Sequence, residues 1–301
     1  MRSALKKFFV YVFLFIAVFF AGRFSYEYGW LDEWLGSSTR EFVQENGNNG
    51  SAEIISGNKG TSIFGSPILL EDVSKNTIYG GDPQGRSYGV VDNASFRIGY
   101  SKARKNPLWV AYKLGIGGKY ENLEALDKYV ADVRTFVEVS HDDYAGEDYV
   151  RAAMAPHFSI TTRYGKEAHR QTFLTSNVCP QKNTLHSTVW QELEEVITVD
   201  YADMLKEVWV ITGPIFDRDI QRLKSGVEIP DKFYKIVVDE KEGQLRSMAF
   251  VIDQEVTGKE HLRLFLTSID NIEQLTGLDF FTELSDKTED KFEKIKSSKL
   301  W

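Results

Sequence analysis

The chain has 301 residues, 42% apolar and 27% charged, which allows a sizeable hydrophobic core and excludes a wholly disordered or collagen-like protein. Its 44 acidic and 36 basic side chains give a net charge of -8. That charge excludes a histone-like protein that coats nucleic acid by bulk charge, although a local basic groove is still compatible with it. The single cysteine, Cys179, excludes an intramolecular disulfide and a cysteine-based zinc site.

Residues 1–23 have the pattern of a targeting segment. Three basic residues precede an apolar run from Phe8 to Ala21. The run is shorter than the roughly 20 residues of a usual membrane span, so a cleaved signal peptide is an alternative. A cleavage site after Ala21 would place bulky Phe19 three residues before it, which disfavours cleavage. We therefore predict an uncleaved signal-anchor, with the rest of the chain exported to the periplasmic or extracellular side.

Residues 24–70 have the composition of a tether. Turn-rich stretches occur at Gly47–Ser51 and Ser56–Gly60, and the segment shows little apolar periodicity. No comparable linker interrupts the chain after it, so residues 71–301 are predicted to form one domain.

This domain mixes strand-like and helix-like patterns. The predicted strands are Ser95–Tyr100, Leu108–Lys113, Val208–Thr212, Phe233–Val238 and Ser247–Ile252. The continuous apolar run Val208–Thr212 predicts a buried central strand, with the last two strands as its neighbours. Helices are predicted at 164–171, 188–205 and 270–276. Strands and helices without a strict βαβ repeat indicate an α+β fold with a mixed or antiparallel central sheet and flanking helices.

Two stretches carry a family resemblance. The first is 143–156, DYAGEDYVRAAMAP, and the second is 172–181, TFLTSNVCPQ, which is followed by Leu185-His186 and by WQELE at 190–194. Together they resemble the DNA/RNA non-specific endonucleases, the ββα-metal nucleases that include the endonuclease G group. Further matches occur in the family's order at IYGG 78–81, NPLWVAY 106–112, VITGP 210–214 and TGLDFF 276–281. The resemblance therefore covers most of the domain.

The resemblance implies a ββα-metal nuclease fold and metal-dependent hydrolysis of phosphodiester bonds in DNA and RNA. In the family, a histidine of an Asp-Arg-Gly-His signature is the general base for the attacking water. An asparagine at the start of the next helix helps to hold one Mg²⁺, which stabilises the leaving oxygen. Arginines neutralise the charge on the phosphate. These enzymes contact the backbone of the nucleic acid, so they accept both polymers.

This chain departs from the family at two of those positions. The signature reads Val150-Arg151-Ala152-Ala153, so Ala153 stands at the position of the general base and has no proton acceptor. The position of the metal-binding asparagine holds His186, whose imidazole favours Mn²⁺ or Zn²⁺ over Mg²⁺. The family positions that are matched are those of Asn177, Glu194, Arg151 and the upstream Arg134.

Each matched residue also has a structural interpretation. Arg151 and Arg134 suit a phosphate contact or a salt bridge equally well. Asn177 precedes a turn in which asparagine commonly caps backbone groups. His186 and Glu194, spaced on one side of a helix with Trp190, suit metal ligation or ordinary hydrogen bonding and solvation.

The start of that helix is predicted from a capping box. Thr188 and Gln191 have the spacing of such a box, so His186 is expected just ahead of the first helical turn, near the expected metal position.

No other residue replaces the base in an obvious way. His157 lies four residues after Ala153, on the order of 13 Å away if the segment is extended. His141 precedes the signature by about a dozen residues. Cys179 lies in an apolar context, where a small buried residue is expected rather than a nucleophile.

Two hypotheses follow. The chain is either a membrane-anchored nuclease with an altered site, or a pseudonuclease that keeps the fold and a nucleic-acid groove. The implied partners are the membrane, through residues 8–21, and the DNA/RNA backbone. The predicted nucleic-acid contacts are Arg134, Arg151, Lys166 and Lys182. The cofactor is a divalent metal, or none if the site has been lost.

Overall fold

The computed structural model describes residues 77–301 except 119, 122, 145–147 and 242–243. The predicted anchor at Phe8–Ala21 and the tether at 24–70 lie outside the described residues. Among the described residues, no helix combines the length and the apolar character that a bilayer span needs.

The fold is built on a seven-stranded sheet with the spatial order β1-β2-β3-β6-β9-β10-β11. Its strands are β1 (Gly89–Asp92), β2 (Phe96–Ser101), β3 (Asn106–Gly115), β6 (Glu207–Ile215), β9 (Lys232–Lys241), β10 (Gln244–Asp253) and β11 (Leu266–Thr267). Two small sheets pair β4 (Tyr149–Ala153) with β5 (Val178–Lys182) and β7 (Gln221–Arg222) with β8 (Glu228–Ile229). All of these strand pairs are antiparallel, so the α+β prediction with an antiparallel sheet is confirmed.

The helices flank the large sheet. The α-helices are α1 (His157–Tyr164), α2 (Lys166–Thr172), α4 (Ile269–Thr276) and α5 (Asp286–Glu293). A continuous helical segment of residues 183–205, here α3, alternates α turns at Asn183–Leu185, Gln191–Glu195 and Ala202–Leu205 with π turns at His186–Trp190 and Val196–Tyr201. Short 3₁₀ turns occur at Val133–Thr135, His141–Tyr144, Thr175–Asn177 and Leu262–Phe265.

The central strands are buried on both faces of the sheet. Along β6, Val208 and Val210 face the core that α3 covers, while Trp209 and Ile211 face the core that α4 and α5 cover. Because side chains of a strand alternate between faces, a strand with cores on both sides reads as a continuous apolar run. The prediction that Val208–Thr212 is a buried central strand is therefore confirmed.

Two predictions about these elements are wrong. The strand at Ser247–Ile252 does not neighbour the central strand: β10 pairs with β9, and β6 lies between β9 and β3. The helix predicted from Thr188 begins five residues earlier, at Asn183. Lys182 is extended, with φ −61° and ψ 138°, so β5 passes directly into the helix, and Thr188 Oγ1 donates to the Thr184 carbonyl inside it.

Candidate functional site

The β4–β5 pair brings together the stretches that carry the motifs. Ala153 pairs with Val178, and Arg151 pairs with Pro180. Ala153 is 8% exposed and ends β4 with a methyl group. Because β5 leads straight into α3, the first turns of this helix lie beside the strand pair.

His186 lies within the helix, not ahead of it. Its Nδ1 is 3.0 Å from Oε1 of the buried Gln181, which lies in β5. Burial lowers the pKa of the half-buried His186, and the charge of Glu194 acts in the opposite direction. A carbonyl oxygen at Nδ1 favours the tautomer with the proton on Nδ1, which leaves the lone pair on Nε2. His186 is therefore a neutral imidazole able to accept a proton or bind a metal.

Glu194 forms an ion pair inside the protein. Its Oε1 accepts from Nζ of Lys235 at 3.0 Å, and the Lys235 side chain is fully buried while that of Glu194 is 17% exposed. The ammonium also lies 4.2 Å from the ring centroid of Trp190. Burial lowers the pKa of Lys235, and the contact with Glu194 acts against that shift. The carboxylate thus already faces a cation supplied by β9.

Asn177 binds the backbone. Its Oδ1 accepts from the Ala155 amide at 2.8 Å, and its Nδ2 donates to the carbonyls of Ala155 at 3.1 Å and Thr172 at 3.0 Å. The side chain is fully buried. These bonds hold the segment after Ala153 against the end of α2.

Arg151 extends from β4 toward the 3₁₀ turn at His141–Tyr144. Its Nε donates to the His141 carbonyl at 2.7 Å, and its terminal nitrogens have no partner among the described residues. The His141 ring stacks on Tyr129 with centroids 6.1 Å apart, and its Nδ1 accepts from the Tyr129 amide at 3.1 Å. Burial, with the charge of Arg151, lowers the pKa of His141. The hydrogen bond to His141 therefore orients Arg151, and no described residue pairs with its terminal nitrogens.

His157 is linked to β4 through the hydroxyl of Tyr129. The chain turns after Ala153, and His157 begins α1 with its Nε2 2.9 Å from the Tyr129 hydroxyl, which is itself 3.2 Å from the Arg151 carbonyl. Its Nδ1 lies 2.7 Å from the Thr172 hydroxyl. Burial, reinforced by two neighbouring histidines, lowers its pKa to about 3. Both ring nitrogens are thus engaged, and the imidazole is a weak base.

The other predicted cations lie in different settings. Arg134 makes a bidentate ion pair with Asp132 at 2.8 and 2.7 Å and also donates to the Asp92 carbonyl and to Asn93. Burial opposes ionisation of Asp132, but hydrogen bonds from Arg134 and other groups outweigh it and lower its pKa. Lys182 pairs with Glu255, and Lys166 is exposed at the start of α2.

Cys179 is fully buried in β5, and burial raises the pKa of its thiol well above the usual value. A thiolate is therefore disfavoured at this position, in keeping with a small core residue.

Comparisons with known proteins show which family the chain belongs to. The family model of the DNA/RNA non-specific endonuclease matches residues 73–287. The chain belongs to this family. It is 26% identical to the human mitochondrial nuclease EXOG over 212 residues, which are 64% of this chain and 56% of that protein. It is also 26% identical to the nuclease of Serratia marcescens over 236 residues, 73% of this chain and 85% of that protein.

A solved structure supports the fold. A chain of the EndoG/EndoGI complex, reported for the mechanism of EndoG inhibition, superposes with a TM-score of 0.58 at 20% identity. The match covers 74% of this chain and 95% of that chain. This likeness supports the fold alone.

The residues of this family member do not fit the Mg²⁺ typical of the family. Mg²⁺ prefers oxygen ligands, whereas His186 offers a nitrogen, and Glu194 is neutralised by Lys235. The Gln181 Nε2 is buried without a hydrogen-bond partner in the described part of the chain, and an amide N–H cannot bind a cation. The donor set suits a softer ion on His186 better than hydrated Mg²⁺.

Sequence reasoning missed three residues of this site: Tyr129, Gln181 and Lys235. A signal was present for Lys235, because it interrupts the apolar run of 233–238 at a position that alternation places in the core. A buried charge demands a partner, which predicts an acidic residue facing β9. Tyr129 and Gln181 have no comparable signal, since their contacts depend on how loops and strands meet.

Proposed function

We propose that this chain is an exported, membrane-anchored member of the endonuclease family that binds the DNA/RNA backbone and hydrolyses it slowly or not at all. Phe8–Ala21 would be the anchor, with the domain on the periplasmic or extracellular side. The family assignment supports nucleic acid as the substrate class. The altered residues at positions 153 and 186 support a reduced rate of hydrolysis.

The observation that carries this proposal is the methyl group of Ala153 at the position of the general base. Loss of a general base typically slows a reaction by about 10²–10⁴-fold. His157 is linked to β4 by the Tyr129 hydroxyl. Both of its ring nitrogens are hydrogen-bonded, and burial lowers its pKa to about 3. It is therefore a poor substitute at neutral pH.

Nucleic-acid binding is supported by Arg151 most directly. Its terminal nitrogens have no partner among the described residues, and a guanidinium fork binds phosphate in a bidentate manner. Lys166 is exposed and can add to the positive electrostatic potential that attracts phosphate groups. Arg134 and Lys182 are already paired with carboxylates, so we expect them to contribute less.

A second candidate function is slow hydrolysis centred on His186. Gln181 sets the tautomer that leaves the Nε2 lone pair available, and such an imidazole is suited to Mn²⁺ or Zn²⁺ or to accepting a proton. In this alternative, the catalytic imidazole is provided by α3 and not by β4 as in the family.

One experiment separates the two. The full chain is incubated with supercoiled plasmid in Mg²⁺, Mn²⁺ or Zn²⁺ separately, beside the His186→Ala variant. We expect little or no nicking in any metal. Robust nicking that His186→Ala abolishes would reject the first proposal in favour of the His186-centred site.

Binding is measured separately, by fluorescence anisotropy with DNA and RNA oligonucleotides across a salt series. We expect Arg151→Ala to weaken binding to both polymers and to reduce the slope of log K against log salt by about one. Lys287→Ala, which removes an exposed cation from α5 on the other face of the sheet, is the matched control. Unchanged affinity in Arg151→Ala would contradict the assigned contact.

A further inference from the structure

Three carboxylates meet on the side of the sheet opposite to the β4–β5 pair. Asp270 and Glu273 lie one turn apart on α4, and Glu293 is the last residue of α5. One carboxylate oxygen of each lies within 4.8 Å of the others. Buried side chains of both helices pack into the core on this face, so the two helices are held side by side.

Glu293 is buried, and no described residue pairs with one of its carboxylate oxygens. It is 5% exposed, and its Oε1 has no hydrogen-bond partner among the described residues. A buried carboxylate without a partner is costly, and a negative charge at a helix C-terminus is disfavoured further by the helix dipole. Burial, with the charges of Glu273 and Glu289, raises its pKa to about 8.

The surroundings add negative charge and little positive charge. Asp279 and Glu289 also act on this cluster. The nearby ammonium of Lys294 pairs with Asp290 at 3.1 Å, and its side chain is 64% exposed. A positive charge inside the cluster would therefore relieve both the repulsion and the unpaired carboxylate.

We propose that Asp270, Glu273 and Glu293 bind a calcium ion that joins α4 to α5. The three oxygens lie within 4.8 Å of one another, so a single ion can contact all of them. We assign Ca²⁺ because it accepts irregular sets of carboxylate ligands, whereas Mg²⁺ demands near-ideal octahedral geometry and usually keeps several waters.

The cluster is also accessible to an ion from solvent. Asp270 and Glu273 are half-buried, so solvent reaches the site and water can complete the coordination. Glu273 uses Oε1 to accept from the Phe280 amide at 2.8 Å, and its second oxygen remains for the ion. This site is separate from the nucleic-acid site and does not depend on hydrolysis.

The test measures thermal unfolding of the full chain with Ca²⁺, with Mg²⁺ and with a chelator. We expect Ca²⁺ at about 100 times its Kd to raise Tm by about 5 °C or more, and Mg²⁺ to raise it less. Calorimetric titration with CaCl₂ should give one site per chain.

Glu293→Gln should lose the Ca²⁺ response, because a neutral amide supplies a weaker oxygen ligand than a carboxylate does. Asp270→Asn, at a half-buried position, should lose most of the response too. Glu289→Gln is the matched control: it removes one charge from the same helix but no proposed ligand, and should retain the response.

Two outcomes would overturn the assignment. If the native chain shows no Ca²⁺ response, the three groups share a proton instead of a metal. If Glu293→Gln and Asp270→Asn both respond like the native chain, the ion binds elsewhere.

Discussion

At position 153 the side chain ends in a methyl group, which has no lone pair to accept a proton from water. The other changed position, 186, replaces an amide oxygen with an imidazole nitrogen. Both lie next to the β4–β5 pair, and both act in the family on one water and one phosphate. Their effects on rate should therefore depend strongly on each other.

We predict that restoring both groups restores activity. Ala153→His alone returns a proton acceptor without a Mg²⁺ ligand, and His186→Asn alone returns the ligand without the acceptor. The double variant should give clear Mg²⁺-dependent plasmid nicking, while each single variant gives little. Adding Ala152→Gly would relieve any backbone restriction before the base. An inactive double variant with a confirmed fold would mean that the groove has been lost.

The same neighbourhood makes a pH-dependent contribution to stability through His157. In the unfolded chain this imidazole takes up a proton below about pH 6.5, whereas in the folded protein it remains neutral down to about pH 3. The unfolded chain therefore binds more protons between these values. The stability that His157 contributes is fully present above pH 6.5 and is lost as the pH falls through this window.

We therefore predict that the free energy of unfolding of His157→Gln decreases less at acidic pH than that of the native chain. Between pH 6.5 and 4 the native chain should lose more free energy of unfolding than the variant, by at most about 3 kcal/mol. Urea unfolding at several pH values measures this difference. His261→Gln, which removes an exposed imidazole, should follow the native curve; an identical curve for His157→Gln would show that burial does not govern this histidine.

At the scale of elements, five strands of the large sheet (β2, β3, β6, β9 and β10) were predictable because alternation and apolar runs are local signals, whereas β4 and β5 were not predicted. The start of α3 was not, because Thr188 and Gln191 satisfy the capping pattern while β5 already carries the chain into the helix at Asn183. The ion pair of Glu194 with Lys235 joins positions 41 residues apart, and no local pattern specifies such pairing. The start of α3 and the pairing of Glu194 with Lys235 therefore depend on tertiary contacts, which local sequence patterns do not specify.

The β2–β3 pairing depends on a close approach that only glycine permits. Gly99 pairs with Trp109, and a methyl group at position 99 would overlap the fully buried indole ring. We predict that Gly99→Ala lowers the free energy of unfolding by about 1–3 kcal/mol through overpacking. Gly89→Ala in β1 is the control, because a methyl group there meets nothing within 4 Å. Urea unfolding that finds both variants equally stable would refute this account.

At the scale of the molecule, the domain carries its own core. Trp109 and Tyr112 of β3 are 0% and 1% exposed on opposite faces of the sheet, and each belongs to a hydrophobic cluster of the described residues. The chain carries a net charge of -8, so the proposed binding of nucleic acid requires a local positive patch such as the surroundings of Arg151.

We predict that residues 70–301 fold without the preceding segment. Since described helices of this range pack on both faces of the sheet, we expect removal of residues 1–69 to leave the core folded. Expressed alone, the fragment should be soluble, elute at the size of a monomer, and unfold in one cooperative transition in urea. The full chain is the comparison, and its unfolding midpoint should differ little. Aggregation of the fragment under several solution conditions, or a broad transition where the full chain unfolds sharply, would show that residues before 70 complete the fold.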